Sequence, residues 1–306
     1  MKWEKKGILY QPDTSLWWSK KYGMVPTPCY LPQKNVLRIF FAATDENIFG
    51  RVSFIDVNPD NPSQIIYCHP EPILDIGEPG TFDDCGVNVS SLVKTKSKWL
   101  MYYVGYQRAF QVPYMLFMGL AQSSDDLEKF ERVSKAPLLD RKADSYISHA
   151  APFVMQDNDI FKMWYWIGKK WVAINDKSYI SASIGYAESN DGYDWIIKSH
   201  QCIVPNEETE FSVGRPWVLK TERGYRMFYS VRKKKELYRI GYAESENGLD
   251  WIRKDNEVGI DVSESGWDSE MICYPAVIKV NDKTFMFYNG NNNGATGFGY
   301  AELIEN

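Results

Sequence analysis

Two stretches decide how this chain is read: "IGYAESNDGYDW" (Ile184 to Trp195) and "IGYAESENGLDW" (Ile240 to Trp251). Each has a strand-like opening, a turn of Asp, Asn and Gly, and a closing tryptophan. A third copy of the opening, "GFGYAELIEN" from Gly297, has no tryptophan after it. Upstream lies a second shared pattern, "RPWVLKTERGYRMFYS" from Arg215 and "YPAVIKVNDKTFMFYN" from Tyr274. These align on Pro216 and Pro275, on Val218 and Val277, and on the "MFY" triplets ending at Tyr229 and Tyr288. The same template finds "APFVMQDNDIFKMWYW" from Ala151, "VSSLVKTKSKWLMYYV" from Val89 and "TPCYLPQKNVLRIFFA" from Thr27. That makes five copies of one supersecondary unit.

Each copy reads as antiparallel strands: a short apolar run, a polar turn, then a run rich in aromatic and β-branched residues. A third strand ("SIGYAES", "RIGYAES", "GFGYAEL" or, more loosely, "MLFMGLAQS") and a turn lead to a fourth strand that begins at a tryptophan. Four strands in a repeat of roughly 55 to 65 residues make a propeller blade. The sequence therefore predicts one all-β domain over residues 1–306, a five-bladed β-propeller. The N-terminal "KWEKKGILY" matches the stretches after the turn in other copies, "DWIRKDNEVGI" and "DWIIKSHQCIV", with Trp3 as the counterpart of Trp195 and Trp251. Residues 2–10 are expected to supply the outer strand of the last blade, pairing the two ends of the chain and removing open sheet edges.

Composition agrees: 44% apolar and 15% aromatic residues suit a large packed core. A net charge of −5 without a long basic run argues against a nucleic-acid partner. No stretch approaches a membrane span, and the charged start "MKWEKKGILYQPD" does not read as a signal peptide, so no membrane partner and a cytoplasmic location are expected. The five cysteines never form C-x-x-C and read as free thiols.

The starts of the innermost strands crowd around one mouth of a propeller channel. They read "KKYGMVPTP", "FDDCGVNVS", "DSYISHAAP", "EETEFSVGRP" and "WDSEMICYP". Carboxylates recur in four of the five, and such a cluster is expensive to desolvate unless it meets water or a ligand. The candidates are Asp83 or Asp84, Asp144, Glu210, and Asp268 or Glu270, joined by Asn88, His149, Arg215 and Tyr274. Asp268 and Asp83 also suit a local turn hydrogen bond at the blade entry.

With five blades, "S-x-D-G-x-x-W" turns, "MFY" strands and acid-bearing blade starts, the chain resembles the five-bladed glycosidase superfamily, which includes glycoside hydrolase families 32, 43, 68, 117 and 130. The resemblance implies that funnel carboxylates transfer glycosyl groups, one protonating the leaving oxygen while another activates water or attacks carbon. On this basis Asp84 and Glu270 are the expected catalytic pair, with Glu210 next. Asp83, Asn88, Asp144, His149, Arg215, Asp268, Tyr274, Trp18 and Tyr106 are expected to bind substrate. Two departures stand out: the first blade start carries no acid, and the "E-G-P" of family 43 is matched by "VGRP". "GTFDDCGV" is similar to family 130, whose phosphorylases bind inorganic phosphate with basic residues. Arg215 and His149 are thus expected to hold a phosphate or carboxylate of the ligand, or Arg215 to pair with Glu210 or Glu270. Neither a metal nor a cofactor is expected, since no Asp/Asn-rich calcium loop appears.

Three functions remain open: a hydrolase acting on a short or modified sugar, a phosphorylase or transferase of cytoplasmic polysaccharide metabolism, and a sugar-binding propeller without catalysis.

Overall fold

The repeated stretches form strands throughout. A computed structural model of the protein describes residues 1–123, 126–143 and 145–305. After β1 (Lys2–Tyr10), the strands come in antiparallel runs. The first is β2 (Lys21–Leu31), β3 (Val36–Thr44), β4 (Gly50–Val57) and β5 (Ile65–Cys68). The second is β6 (Gly86–Lys94), β7 (Trp99–Arg108), β8 (Tyr114–Ser123) and β9 (Glu131–Arg132). The third is β10 (Ser148–Asp157), β11 (Ile160–Ile174), β12 (Lys177–Ser189) and β13 (Ile196–Ile203). The fourth is β14 (Glu210–Thr221), β15 (Gly224–Lys233), β16 (Tyr238–Ser245) and β17 (Ile252–Arg253). The last is β18 (Cys273–Val280), β19 (Lys283–Asn289) and β20 (Phe298–Glu305). The first and second runs join through one parallel pairing, Gly50 with Gly86, and the third and fourth through Ala182 with Ser212. Among the described residues no helix is long and apolar enough to cross a membrane.

The chain ends meet. β1 pairs antiparallel with β20 from Lys2 and Glu305 to Tyr10 and Phe298, which makes the last sheet four-stranded in the order β1-β20-β19-β18. Glu4 lies opposite Glu302 as Ile252 lies opposite Glu244 and Ile196 opposite Glu188. By register, therefore, Trp3 occupies the place of Trp251 and Trp195. The two complete turns are held internally. The Asp191 carboxylate accepts the N–H groups of Tyr193 and Asp194, the Asn247 amide oxygen those of Leu249 and Asp250, and the tryptophan indoles donate to Gly192 and Gly248. Both glycines have φ near +80°, which a side chain would strain. Trp3 has no such turn, and its indole donates instead to Val258 at 2.9 Å while its ring meets Phe228 edge-on.

Every first strand shares one bulge, and β2 and β14 slip once more, at Lys21/Met24 and Glu210/Ser212. At the shared bulge the register slips at Met24/Thr27, Val89/Ser91, Ala150/Phe153, Gly214/Trp217 and Cys273/Ala276. In four of these bulges a non-glycine residue with left-handed φ precedes a proline: Val25 (53°), Ala151 (46°), Arg215 (50°) and Tyr274 (56°). Such conformations cost about 1 kcal/mol or more and persist only where neighbours hold them. Asn289 Oδ1 takes the Val25 N–H and Ser230 Oγ that of Tyr274, each at 2.8 Å.

This register corrects the alignment of the first copy. Thr27 pairs with Phe40 as Trp217 pairs with Phe228, so Val25, not Thr27, stands where Arg215 stands. The β2–β3 hairpin is two residues longer than β14–β15, and an ungapped template slides past it.

Candidate functional site

The five bulge residues Val25, Val89, Ala151, Arg215 and Tyr274 all line one cavity of about 510 Å³. A bulge re-aims the side chain of its strand, and here five strands aim at one space. Around it stand the rings of Tyr106, Tyr114, Trp166, Tyr179 and Tyr238, the amides of Asn88 and Asn293, and three cations, Arg108, Arg215 and Arg232. Among the described residues no carboxylate lines it. A larger hollow of about 990 Å³ lies over β15–β17 and is lined by charged surface groups already paired, such as Lys254 with Glu244 at 2.6 Å. We take the convergent cavity as the site.

The two inner arginines do different work. Arg215 is buried and spends its terminal nitrogens on six acceptors: the carbonyls of Val89, Ser90, Val25 and Pro26 and the hydroxyls of Ser90 and Thr27, at 3.1 to 3.5 Å. It ties β14 to β6 and β2, among the described residues with no carboxylate at hand, and burial pushes its pKa down to about 10. Arg232 lies against the ring faces of Tyr179, Tyr238 and Phe211, with centroids at 4.3, 4.6 and 5.3 Å. Among the described residues no carboxylate comes within 4.0 Å of it. Burial alone would lower its pKa, but the phenols of Tyr238, Tyr274 and Tyr114 turn the net shift upward. Arg232 is thus a fixed, fully charged fork at the cavity wall.

The expected catalytic carboxylates are elsewhere. Glu270 is exposed, and its backbone rather than its side chain is engaged, by Arg239 and Asn291. Glu210 is buried in a bidentate pair with Arg253 at 2.8 and 2.9 Å, so its charge is neutralised on the outside of the fourth run. Asp84 is half-buried on the approach to β6, outside the cavity lining; Oδ2 accepts the Gly80 N–H, and Oδ1 is buried without a partner. Asp144 lies outside the described residues.

Two expected binding acids turn out to be latches. Asp83 accepts Tyr103 Oη at 2.9 Å and Arg132 Nε at 2.7 Å. Asp268 accepts Tyr288 Oη at 2.9 Å and Lys5 Nζ at 2.7 Å. Tyr103 and Tyr288 are the final residues of equivalent second-strand triplets, so acid and phenol recur together. In the fourth run Tyr229 donates to Asp255, which joins Glu210 through Arg253. The first run has Phe41 in place of the tyrosine and Ser19 in place of the acid, and Ser19 bonds to Tyr10 at 2.8 Å. The acid that the start of the first run lacks is therefore missing together with its phenol.

Trp18 is no sugar platform: it is buried in a core with Tyr10 and Phe41, its indole donating to Pro70. His149 is buried outside the lining, with Nδ1 near the Asp140 carbonyl at 3.0 Å. Arg215 pairs with neither Glu210 nor Glu270. Asn88, Arg215, Tyr274 and Tyr106 do reach the cavity; Tyr106 Oη donates to Ile48 and accepts the Gly50 N–H, and burial pushes its pKa up to about 12. Sequence reasoning missed Arg232, Tyr238, Tyr114 and Asn293. Arg232 sits in the run "VRKKK", which reads as a solvated face.

With the geometry established, comparison with known proteins places the chain. The uncharacterized protein Rv1502 of Mycobacterium tuberculosis is 35% identical over 303 residues, 99% of each chain. The chain belongs to the family of Rv1502. No protein-family model matches it. The 1,2-beta-oligomannan phosphorylase of a Thermoanaerobacter species is 29% identical to this Rv1502 relative over 167 residues, 52% of the chain and 53% of the enzyme. Among solved structures, one from a study of mannoside phosphorylases and hydrolases of the GH130 family matches 98% of the chain and 93% of its own length. Its TM-score is 0.74 at 12% identity. The Rv1502 relative therefore has the nearly all-β fold of the propeller glycosidases.

Proposed function

We propose that the protein is a five-bladed propeller enzyme that breaks a glycosidic bond by transfer to an anion, with inorganic phosphate the anion that suits the reaction best. One observation carries the reading: Arg232 is caged by three rings and, among the described residues, has no counter-charge, in a cavity whose described lining contains no carboxylate. A hydrolase needs a second carboxylate to activate water or attack carbon. Phosphate brings its own nucleophilic oxygen and needs only an acid for the leaving group. We propose Asp84 for that role: it stands outside the lining, on the approach to β6, with its Oδ1 buried and unmet, so its proton reaches the leaving oxygen through one bridging water. A phosphate oxygen bonds to the anomeric carbon, the bond to the leaving oxygen breaks, and that oxygen takes the Asp84 proton. The products are a glycosyl phosphate and a shortened sugar. Trp166 and Tyr114 offer ring faces for the C–H face of a pyranose. Asp144 stays a candidate substrate-binding acid on sequence grounds. The half-chain likeness to an oligomannan phosphorylase supports the same chemistry.

The test is incubation of the protein with short β-1,2-mannosides, with and without orthophosphate, followed by ³¹P NMR. A sugar phosphate should appear only with orthophosphate, and Asp84→Asn should lower turnover at least about 100-fold with unchanged melting. Equal cleavage in phosphate-free buffer would return the assignment to a hydrolase; sugar binding without cleavage would leave a binding propeller.

A further inference from the structure

Three buried polar atoms at the cavity have no hydrogen-bond partner: Asn88 Oδ1, Asn293 Oδ1 and Arg215 Nε. They come from β6, from the loop between β19 and β20, and from β14. An unmet buried polar group costs about 1–3 kcal/mol, so three at one cavity mark a place where a ligand completes the bonding. The loop that carries Asn293 adds a second observation. Asn292 (φ 52°), Asn293 (φ 57°) and Gly294 (φ 88°) are consecutively left-handed. Its neighbours clamp it there. Asn289 Nδ2 donates to Gly23 and Gly297 at 2.7 and 2.9 Å, and Asn291 Oδ1 takes the N–H groups of Glu270 and Met271. Asn289 and Asn291 are consumed in holding the loop, while Asn293 is held in strain with its carbonyl oxygen unmet.

We infer that Asn293, with Asn88 and the Arg215 Nε–H, is a specificity subsite that reads the hydroxyls of a neutral sugar ring. The polarity of the set decides the ligand class. Two carbonyl oxygens ask for O–H donors, while the amide N–H groups beside them and the Arg215 Nε–H ask for acceptors. Adjacent sugar hydroxyls supply both, as each donates once and accepts. The cavity thus divides its work: the caged Arg232 takes the negative group and the asparagines take the ring. This subsite rests on the carbohydrate reading above and adds to it the residues that choose among sugars.

Asn293→Gly tests it, because glycine keeps the left-handed loop at no steric cost and removes only the amide. Binding to wild type and variant is measured by calorimetry with orthophosphate, with a panel of common methyl pyranosides, and with monodeoxy analogues of the best binder. The variant should melt as the wild type does, bind orthophosphate equally, and bind the best sugar about 3- to 10-fold more weakly. That loss should vanish for one deoxy analogue, the one lacking the hydroxyl that Asn293 accepts. A wild type that binds sugar and an Asn293→Gly variant that binds it equally well would overturn the subsite alone. A wild type that binds none of the panel would overturn the carbohydrate reading and the subsite with it.

Discussion

Arg215 and Arg232 line the same cavity, yet their surroundings assign them opposite roles, and substitution should separate them. Arg215 satisfies six acceptors of two neighbouring strands, so Arg215→Met leaves buried carbonyls unmet and should cost about 3 kcal/mol. A chemical-denaturation midpoint as high as the wild type's would count against this hub. Arg232 holds no backbone together; its planar group is braced by Tyr179, Tyr238 and Phe211. Arg232→Lys keeps the charge but loses the fork, and should raise the KM for orthophosphate about tenfold at an unchanged melting temperature. The same contrast explains what was legible. Arg215 stood out because a proline follows it in a repeated position, but the repeat marks the bulge it occupies and says nothing of the Nε–H it leaves unmet. Arg232 was hidden among lysines because nothing local distinguishes a cation stacked on distant rings from a solvated one.

Strand-level grammar was legible because antiparallel pairing, tight turns and aromatic strands are local. The Trp3 register and the Ser189 and Ser245 turns follow from residues a few positions apart. The roles of the acids were not, since a carboxylate at a strand entry looks the same whether it meets substrate or a tyrosine one strand away, as Asp83 meets Tyr103. A two-residue hairpin difference at β2–β3 then hid the equivalence of Ser19 and Asp268. Asp157 is another element-level clamp. At the end of β10 it receives Lys162 at 2.7 Å and also Lys220 and Tyr225, joining the third run to the fourth. Burial would raise its pKa, but these three donors overturn that and hold it well below the usual carboxylate range. A depressed folded pKa gives stability that is fully present above the unfolded value of about 4 and lost as pH falls toward the folded one. Asp157→Asn should therefore lower stability by about 2 kcal/mol at pH 7. It should also flatten the loss below about pH 4, as read from denaturation midpoints across that range; parallel curves for both proteins would remove the clamp.

At the scale of the molecule, β1 concentrates long-range cohesion in the first ten residues. It completes the last sheet along its length, places Trp3 against Phe228 of the fourth run and Tyr10 against Phe41 of the first, and sends Lys5 to the buried Asp268. Gly297 allows this approach, since a Cβ there would lie 1.8 Å from the Tyr10 carbonyl oxygen. Without β1, the edge of β20 opens, three aromatic contacts are lost, with Phe228, Phe41 and Phe298, and Asp268 keeps Tyr288 against its buried charge. Burial of Trp3 and Tyr10 is worth about 1.5–3 kcal/mol each, and an abandoned buried carboxylate about as much again. Against a typical net stability of about 5–15 kcal/mol, that loss takes most or all of the margin. A chain of residues 11–306 should therefore show no cooperative melt at 37 °C or above, although it keeps every residue of the cavity. Adding a synthetic peptide of residues 1–10 should restore the transition and, with it, orthophosphate binding at Arg232. If the truncated chain melted with the wild-type midpoint, the sheets would owe their cohesion to the remaining runs and not to the joining of the chain ends.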